Sequence, residues 1–206
     1  MPDSQGYEDY LTDMSHCQFQ LWPLLEEEVS TIMRKQQPKL SCGLDTINNK
    51  LVKLCHNELA HPMTIIINKS IEYSKVPSQH KLARIIPLYK KGAANEFGNY
   101  RPVSLLPALS KILEKAVCQQ LMAYFHKYNL LCTHQYGFRA KNQTTHVVHS
   151  MLNSISDNMT QGRCTIASFI DLSKAFDCLQ YDKLFTKMRY IGFTCLLYTS
   201  PSPRDS

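Results

Sequence analysis

The stretch IASFIDLSKAFDCL, residues 166–179, runs five mostly apolar residues into Asp171 and meets a second acid, Asp177, six positions later. With the residues just before it, this run has the branched, apolar texture of a strand over 163–170 that ends on a carboxylate. An unpaired buried charge is costly enough to shift its pKa until it is neutral, so Asp171 needs a partner. Three roles compete. It caps the following helix, a service that contributes about 0.5 to 2 kcal/mol. It forms an ion pair with Lys174 or Arg189. Or it binds a divalent cation, since hard Mg²⁺ takes a few carboxylate oxygens together with substrate phosphates. Spacing alone does not choose among them, and isolated aspartates are most often caps.

Upstream, LARIIPLY (82–89) and YRPVSLLP (100–107) are short, branched and apolar, separated by KKGAANEFGN with its two glycines. They read as an antiparallel pair around a mobile basic loop. Pro87 and Pro102 confine these strands to an edge, or to places where a backbone donor is not needed. The clearest helix follows, where Leu109, Ile112, Leu113, Ala116, Val117, Leu121, Tyr124, Phe125 and Tyr128 keep the i, i+3, i+4, i+7 rhythm. After a turn at HQYGFR, residues 143–160 have helical character, and Gly162 turns the chain into the strand that ends on Asp171.

Nearer the start, Leu25, Val29, Ile32 and Met33 give a helix over 24–37, with Glu26 to Glu28 and Arg34, Lys35 at the ends that suit its dipole. After the loop KLSCGLD, Asp45 is placed to cap a second helix that carries Ile47, Leu51, Leu54, Cys55 and Leu59 on one face. Pro62, in a first-turn position, opens a third helix to about Tyr73. Residues 1–23 are acidic and aperiodic and read as a poorly ordered lead-in. From Cys195 the sequence CLLYTSPSPRDS loses all periodicity, and 195–206 reads as foreign to the fold.

The 206 residues are 44% hydrophobic, enough for one substantial domain or one and part of another. No run of 18 or more apolar residues appears and the first thirty residues lack a secretory layout, so a soluble intracellular protein without membrane contact is expected. The eight cysteines are scattered and read as ordinary thiols of a reducing compartment. Charge is uneven: residues 1–80 hold 7 Lys/Arg against 10 Asp/Glu, whereas 81–206 hold 16 against 7. The second half suits a polyanion. Cys132, His134, His146 and His149 form a loose set whose spacing matches no zinc module, and IINKSIEYSK, residues 66–75, lacks the basic face of a membrane helix.

Taken in order, SCGLDTI, IIPLYKKG, NYRPVSLLP, QYGFR and FIDLSKAFD followed by a helix ending YIGF resemble the reverse transcriptase domain of non-LTR, LINE-type retrotransposons, jockey-like elements above all. The resemblance covers about residues 30–193, and five motifs in register are a strong signal. It implies an α+β right-hand polymerase fold: fingers of helices and an antiparallel hairpin over 24–162, then the incomplete beginning of the palm over 163–194. It implies an RNA-directed DNA polymerase that extends a DNA primer on an RNA template with dNTPs by a two-metal mechanism. Asp171 matches the first catalytic, metal-binding aspartate, and the carbonyl of Leu172 a further ligand of Mg²⁺. Arg101, Lys90 and Lys91 match nucleotide-binding residues, the lysines having a solvated hairpin tip as their alternative. Phe176 matches the side chain beneath the sugar, or else a core aromatic. Gln135, Gly137, Phe138 and Arg139 resemble the template and primer contact, with Phe138 equally placed for a core. Asp177 matches a structural or supporting acid. The family's site of action implies the nucleus during target-site reverse transcription and the cytoplasm otherwise, and the oligomeric state is not encoded in any motif.

The family continues with PQGS and a paired-aspartate turn, and neither motif occurs in these residues. A lone Asp171 leaves the two-metal site short of carboxylates, so the chain is expected to be inactive alone. A non-catalytic nucleic-acid-binding module is the alternative, using the same basic half.

Overall fold

A computed structural model of the protein describes residues 18–140, 142–172 and 178–193. The helices are α1 (Glu26–Arg34), α2 (Asn49–Leu54), α3 (His56–Glu72), α4 (Ser78–Lys81), α5 (Ala108–Lys127), α6 (Thr144–Thr160) and α7 (Tyr181–Tyr190). Strands β1 (Arg84–Tyr89) and β2 (Tyr100–Leu105) form an antiparallel pair. The chain divides into two compact units, Met1–Tyr124 with Lys187–Ser206, and Phe125–Thr186.

In the first unit, three glutamates fill the opening turn of α1, and the Glu28 carboxylate accepts from the Leu25 N–H at 2.8 Å. Negative charge there meets the positive end of the helix dipole. Val29, Ile32 and Met33 are buried as their spacing requires, but Leu25 is not, with 71% of its surface exposed. Leu24 is the buried one, because the Asn68 amide grips its backbone from α3. Leu24 N–H donates to Asn68 Oδ1 at 2.8 Å, and Asn68 Nδ2 donates back to the Leu24 carbonyl at 3.0 Å.

The same device recurs two residues earlier. Trp22 N–H donates to Gln120 Oε1 and Gln120 Nε2 donates to the Trp22 carbonyl, at 3.0 and 2.8 Å. Phe19 sits in a buried aromatic cluster with Tyr124 and Phe193, ring centroids 4.8–5.8 Å apart, and its N–H donates to the Gly192 carbonyl. The expectation of a poorly ordered lead-in over 1–23 is therefore corrected for residues 18–23. Two amide clips and one aromatic anchor supply partners that no local periodicity reveals. Residues 1–17 lie outside the described residues.

Two further expectations change. Asp45 does not cap α2: Thr46 takes a left-handed φ of 60°, which diverts the chain, and Asp45 Oδ1 accepts only from the Ile47 N–H. Asn48 is the cap, accepting from the Leu51 N–H at 2.9 Å. Val52 is then the side chain turned inward, while Leu51 and Leu54 are exposed. Nor does Pro62 open α3, which starts six residues earlier at His56. Only the helical bond to the carbonyl of Glu58, an exposed residue, is lost to the proline, and the buried stripe Ala60, Met63 and Ile67 holds the helix together.

These stripes meet Ile112, Leu113 and Ala116 of α5 in one core with Val29, Met33 and Val52. Each large aliphatic buried there contributes about 1.5–3 kcal/mol. The SCGLD loop closes on this core through Gly43, where a Cβ would stand 2.8 Å from the Pro107 nitrogen.

The second unit is different in kind, since none of its described residues is buried. α6 forms where expected, and Gly162, at φ +67°, turns the chain. The strand expected over 163–170 does not form: those residues carry no strand, and Ile166, Phe169 and Ile170 are 83–93% exposed. β-Propensity is realised only where neighbouring strands supply ladder partners, and among the described residues none lies beside this segment.

Candidate functional site

The candidate residues fall on three separate pieces. On the hairpin, the register pairs Leu88 with Arg101 and Tyr89 with Tyr100, and Lys90 N–H donates to the Asn99 carbonyl at 2.8 Å. That bond makes 90/99 a hydrogen-bonded pair, so by alternation 88/101, 86/103 and 84/105 are bonded too, while Pro87 and Pro102 face each other across a non-bonded pair. Both prolines thus place their missing donors on the outer edges of the pair, as their sequence positions require. Arg101 shares a face with Arg84, Ile86, Leu88 and Val103. Lys90, Lys91 and Arg101 are exposed and make no ion pair with any described residue.

The loop between the strands is tied down rather than mobile. Tyr89 Oη donates to the Gly92 carbonyl, Tyr100 Oη to that of Ala94 at 2.8 Å, and Asn99 Nδ2 to that of Ala93 at 2.9 Å. Gly92 has φ +95°, with the Asn99 side chain where a Cβ would project. These bonds order the loop that carries Lys90, Lys91 and Phe97, the last 96% exposed. Phe97 escaped the sequence reading, and its one signal is an aromatic in a loop with no apolar periodicity around it. Cations and an exposed ring on one ordered loop suit a phosphate chain with unstacked bases.

The second piece is the turn holding Gln135, Gly137, Phe138 and Arg139. Arg139 Nη1 donates to the Cys132 carbonyl at 3.0 Å, and Gln135 Nε2 to the Gly137 carbonyl at 3.4 Å. Two of the four expected contact residues therefore close the turn with part of their donor capacity, and the Arg139 guanidinium keeps further N–H groups for other partners. Phe138 is 92% exposed at a left-handed φ of 60°, which removes the core alternative for it. A bulky side chain in that region is strained by roughly 1–3 kcal/mol, a cost found most often where function requires it. Beside this turn, the histidines have local roles: His146 Nδ1 accepts from the Gln143 N–H at the start of α6, and His149 bonds Asn153.

The third piece is Asp171 with Leu172, both exposed. Within its own unit Asp171 makes no hydrogen bond or ion pair with a described residue. Lys174, Phe176 and Asp177 lie outside the described residues. Among the described residues no three acidic, histidine or cysteine side chains converge to hold a metal ion. One carboxylate and one carbonyl do not form a two-ion site, so the residues present do not by themselves fit the metal pair.

Comparison with known proteins places these pieces in one family. Residues 88–200 match the family model described as "Reverse transcriptase (RNA-dependent DNA polymerase)". The protein named "Probable RNA-directed DNA polymerase from transposon BS" of Drosophila melanogaster is 30% identical over 168 residues, covering 81% of this chain and 18% of that protein. The "RNA-directed DNA polymerase from mobile element jockey" of the same fly is 27% identical over 183 residues, 88% of this chain and 20% of the relative. The chain thus spans about a fifth of the length of the curated relatives it matches.

Proposed function

Because the chain belongs to the reverse transcriptase (RNA-dependent DNA polymerase) family, we propose that it supplies the fingers and the beginning of the palm of a mobile-element polymerase. The whole enzyme would copy an RNA template by extending a DNA primer with dNTPs. The observation that carries this reading is the hairpin, whose two-stranded register sets Lys90, Lys91 and Arg101 on one rigid element at the start of the matched span.

Arg101 is suited to the triphosphate, because a planar guanidinium holds two phosphate oxygens at once. Lys90 and Lys91 add unpaired positive charge at the hairpin's end and bind triphosphate or template. Exposed Phe138, on its strained turn with Gln135, Gly137 and Arg139, is a surface for template and primer. Asp171 and the Leu172 carbonyl contribute to a divalent metal site, Mg²⁺ in our reading, and Phe176 lies beneath the incoming sugar with Asp177 as a supporting acid. A bound metal pair would activate the primer hydroxyl and stabilise the leaving group. The part we assign to this chain is to bind and orient, since no carboxylate cluster that could hold the ions is present among the described residues and the sequence has no adjacent pair of aspartates.

The test is anisotropy of a fluorescent RNA–DNA primer-template with the 206-residue chain and Mg²⁺, with and without the complementary dNTP. The nucleotide should tighten binding and Arg101→Ala should abolish that tightening. Binding with no nucleotide dependence would favour a non-catalytic nucleic-acid-binding module instead. Primer extension by the chain alone would contradict the shortage of carboxylates.

A further inference from the structure

A cavity of about 390 Å³ opens in the first unit, and every residue that lines it except Ile32 is polar or charged. Lys35 and Lys39 reach it from the end of α1 and the loop beyond, Lys111 and Lys115 from successive turns of α5, and three glutamines and Asn49 complete it with one apolar residue, Ile32. No carboxylate lines it, and none of the four lysines makes an ion pair with a described residue. Lys35 alone has an ordinary explanation, since a cation at a helix C-terminus complements the dipole. That account does not extend to four lysines drawn from two distant segments.

Asn49 adds a neutral donor to the lining. It is only 8% exposed, and its amide makes no hydrogen bond with any described residue. The amide is not sealed from solvent, so it can donate to a ligand that enters the cavity. The pocket's chemistry narrows that ligand. Small-molecule sites are lined mainly by hydrophobic and aromatic side chains, whereas eight of the nine side chains here are polar or charged and four of them are lysines. It contains no aromatic ring on which a base could stack.

We propose that this cavity is a second nucleic-acid site, which holds a run of phosphates of the RNA backbone through Lys35, Lys39, Lys111 and Lys115, with the Asn49 amide donating to a phosphate oxygen. The choice of RNA rests on the polymerase reading, whereas the anion site rests on the lining alone. The cavity binds without regard to sequence, because phosphate contacts position a strand and do not read it.

The experiment measures anisotropy of a labelled single-stranded RNA 20-mer against the 206-residue chain from 50 to 300 mM salt. The variant Lys35→Gln/Lys39→Gln/Lys111→Gln/Lys115→Gln should bind roughly tenfold or more weakly and flatten the log–log salt slope by about 3, at roughly 0.7 per lost phosphate contact on a single strand. A charge-matched control, Lys53→Gln/Lys69→Gln/Lys75→Gln/Lys81→Gln, should lose much less. The single reversal Lys115→Glu, at an exposed position, covers the case in which the fourfold variant folds poorly, and Asn49→Ser should weaken binding with no change in slope. Equal affinity and slope in wild type and the Lys115→Glu chain would overturn the proposal, as would equal losses in the two fourfold variants. Displacement of the RNA by equimolar ATP would overturn the backbone assignment in favour of a free triphosphate. If pocket variants leave RNA affinity intact while dNTP still tightens primer-template binding, the cavity proposal fails and the polymerase reading stands.

Discussion

At position 43 the backbone tolerates nothing larger than hydrogen, because a Cβ would stand 2.8 Å from the Pro107 nitrogen and 3.0 Å from the Leu106 carbonyl carbon. Gly43→Ala should therefore cost about 1–3 kcal/mol, read as a lower urea midpoint with an unchanged m-value. If the midpoint stays put, the SCGLD loop does not close on that backbone. His80 is a second such position. Burial holds its imidazole below the ordinary range, against an opposing pull from the Asp45 carboxylate, and its Nδ1 is buried without a partner among the described residues. The unfolded chain accepts that proton more readily, so the stability tied to His80 is fully present above about pH 6.5 and declines as pH falls below it. Urea midpoints at pH 7.5 and 5.5 should differ more in wild type than in His80→Gln, and an equal difference in both would refute this. Neither position was readable from its residue type. A motif glycine suggests close approach without saying to what, and the burial of His80 is made by residues distant in sequence, Ser110 among them, whose Oγ donates to the His80 carbonyl.

The elements show where local pattern suffices. α5 and the β1–β2 hairpin appear within a residue or two of their expected bounds, because one keeps a long unbroken helical period and the other is two branched runs joined by a short glycine-containing loop. The hairpin loop's internal order was not legible, since it depends on Tyr89, Tyr100 and Asn99 side chains meeting carbonyls across the turn. Tyr100→Phe removes one of these bonds and should cost roughly 0.5–1.5 kcal/mol, seen as faster hydrogen exchange at amides 92–96 with α5 unaffected. Unchanged exchange there would mean the loop owes its shape to the backbone alone. α2 shows the opposite case: its spacing allows a stripe through Leu51 and Leu54 or one through Val52, and only the Asn48 cap and the packing of α1 and α3 select Val52. The candidate site divides in the same way. The hairpin cations were legible as the basic loop between two strands, the exposure of Phe138 was not, because its motif fitted a core aromatic equally well, and the cavity lysines were visible only as an i, i+4 pair at 111 and 115, a spacing common on any solvated helix face.

For the whole molecule, the contrast between units has a measurable consequence. Residues 18–124 surround a core that includes fully buried Val29, Met33, Val52, Ile67 and Ile112, while no described residue of Phe125–Thr186 is buried. Few buried contacts mean low local opening free energy, so limited trypsin or chymotrypsin digestion should cut within 139–172 well before α1, α3 or α5. Protection of α6 equal to that of α3 would show that this unit has a core of its own. Sequence by itself determined the family, the helical periods, the hairpin with its outward prolines and the exposed cations, because each depends on residues near one another in the chain. Tertiary structure alone decided that residues 18–24 are clipped in place, that 163–170 stays out of any ladder, and that four lysines from two segments share a cavity. Those outcomes depend on which distant groups arrive as partners, and neither a hydrogen bond nor a β-ladder exists until its second member is in place.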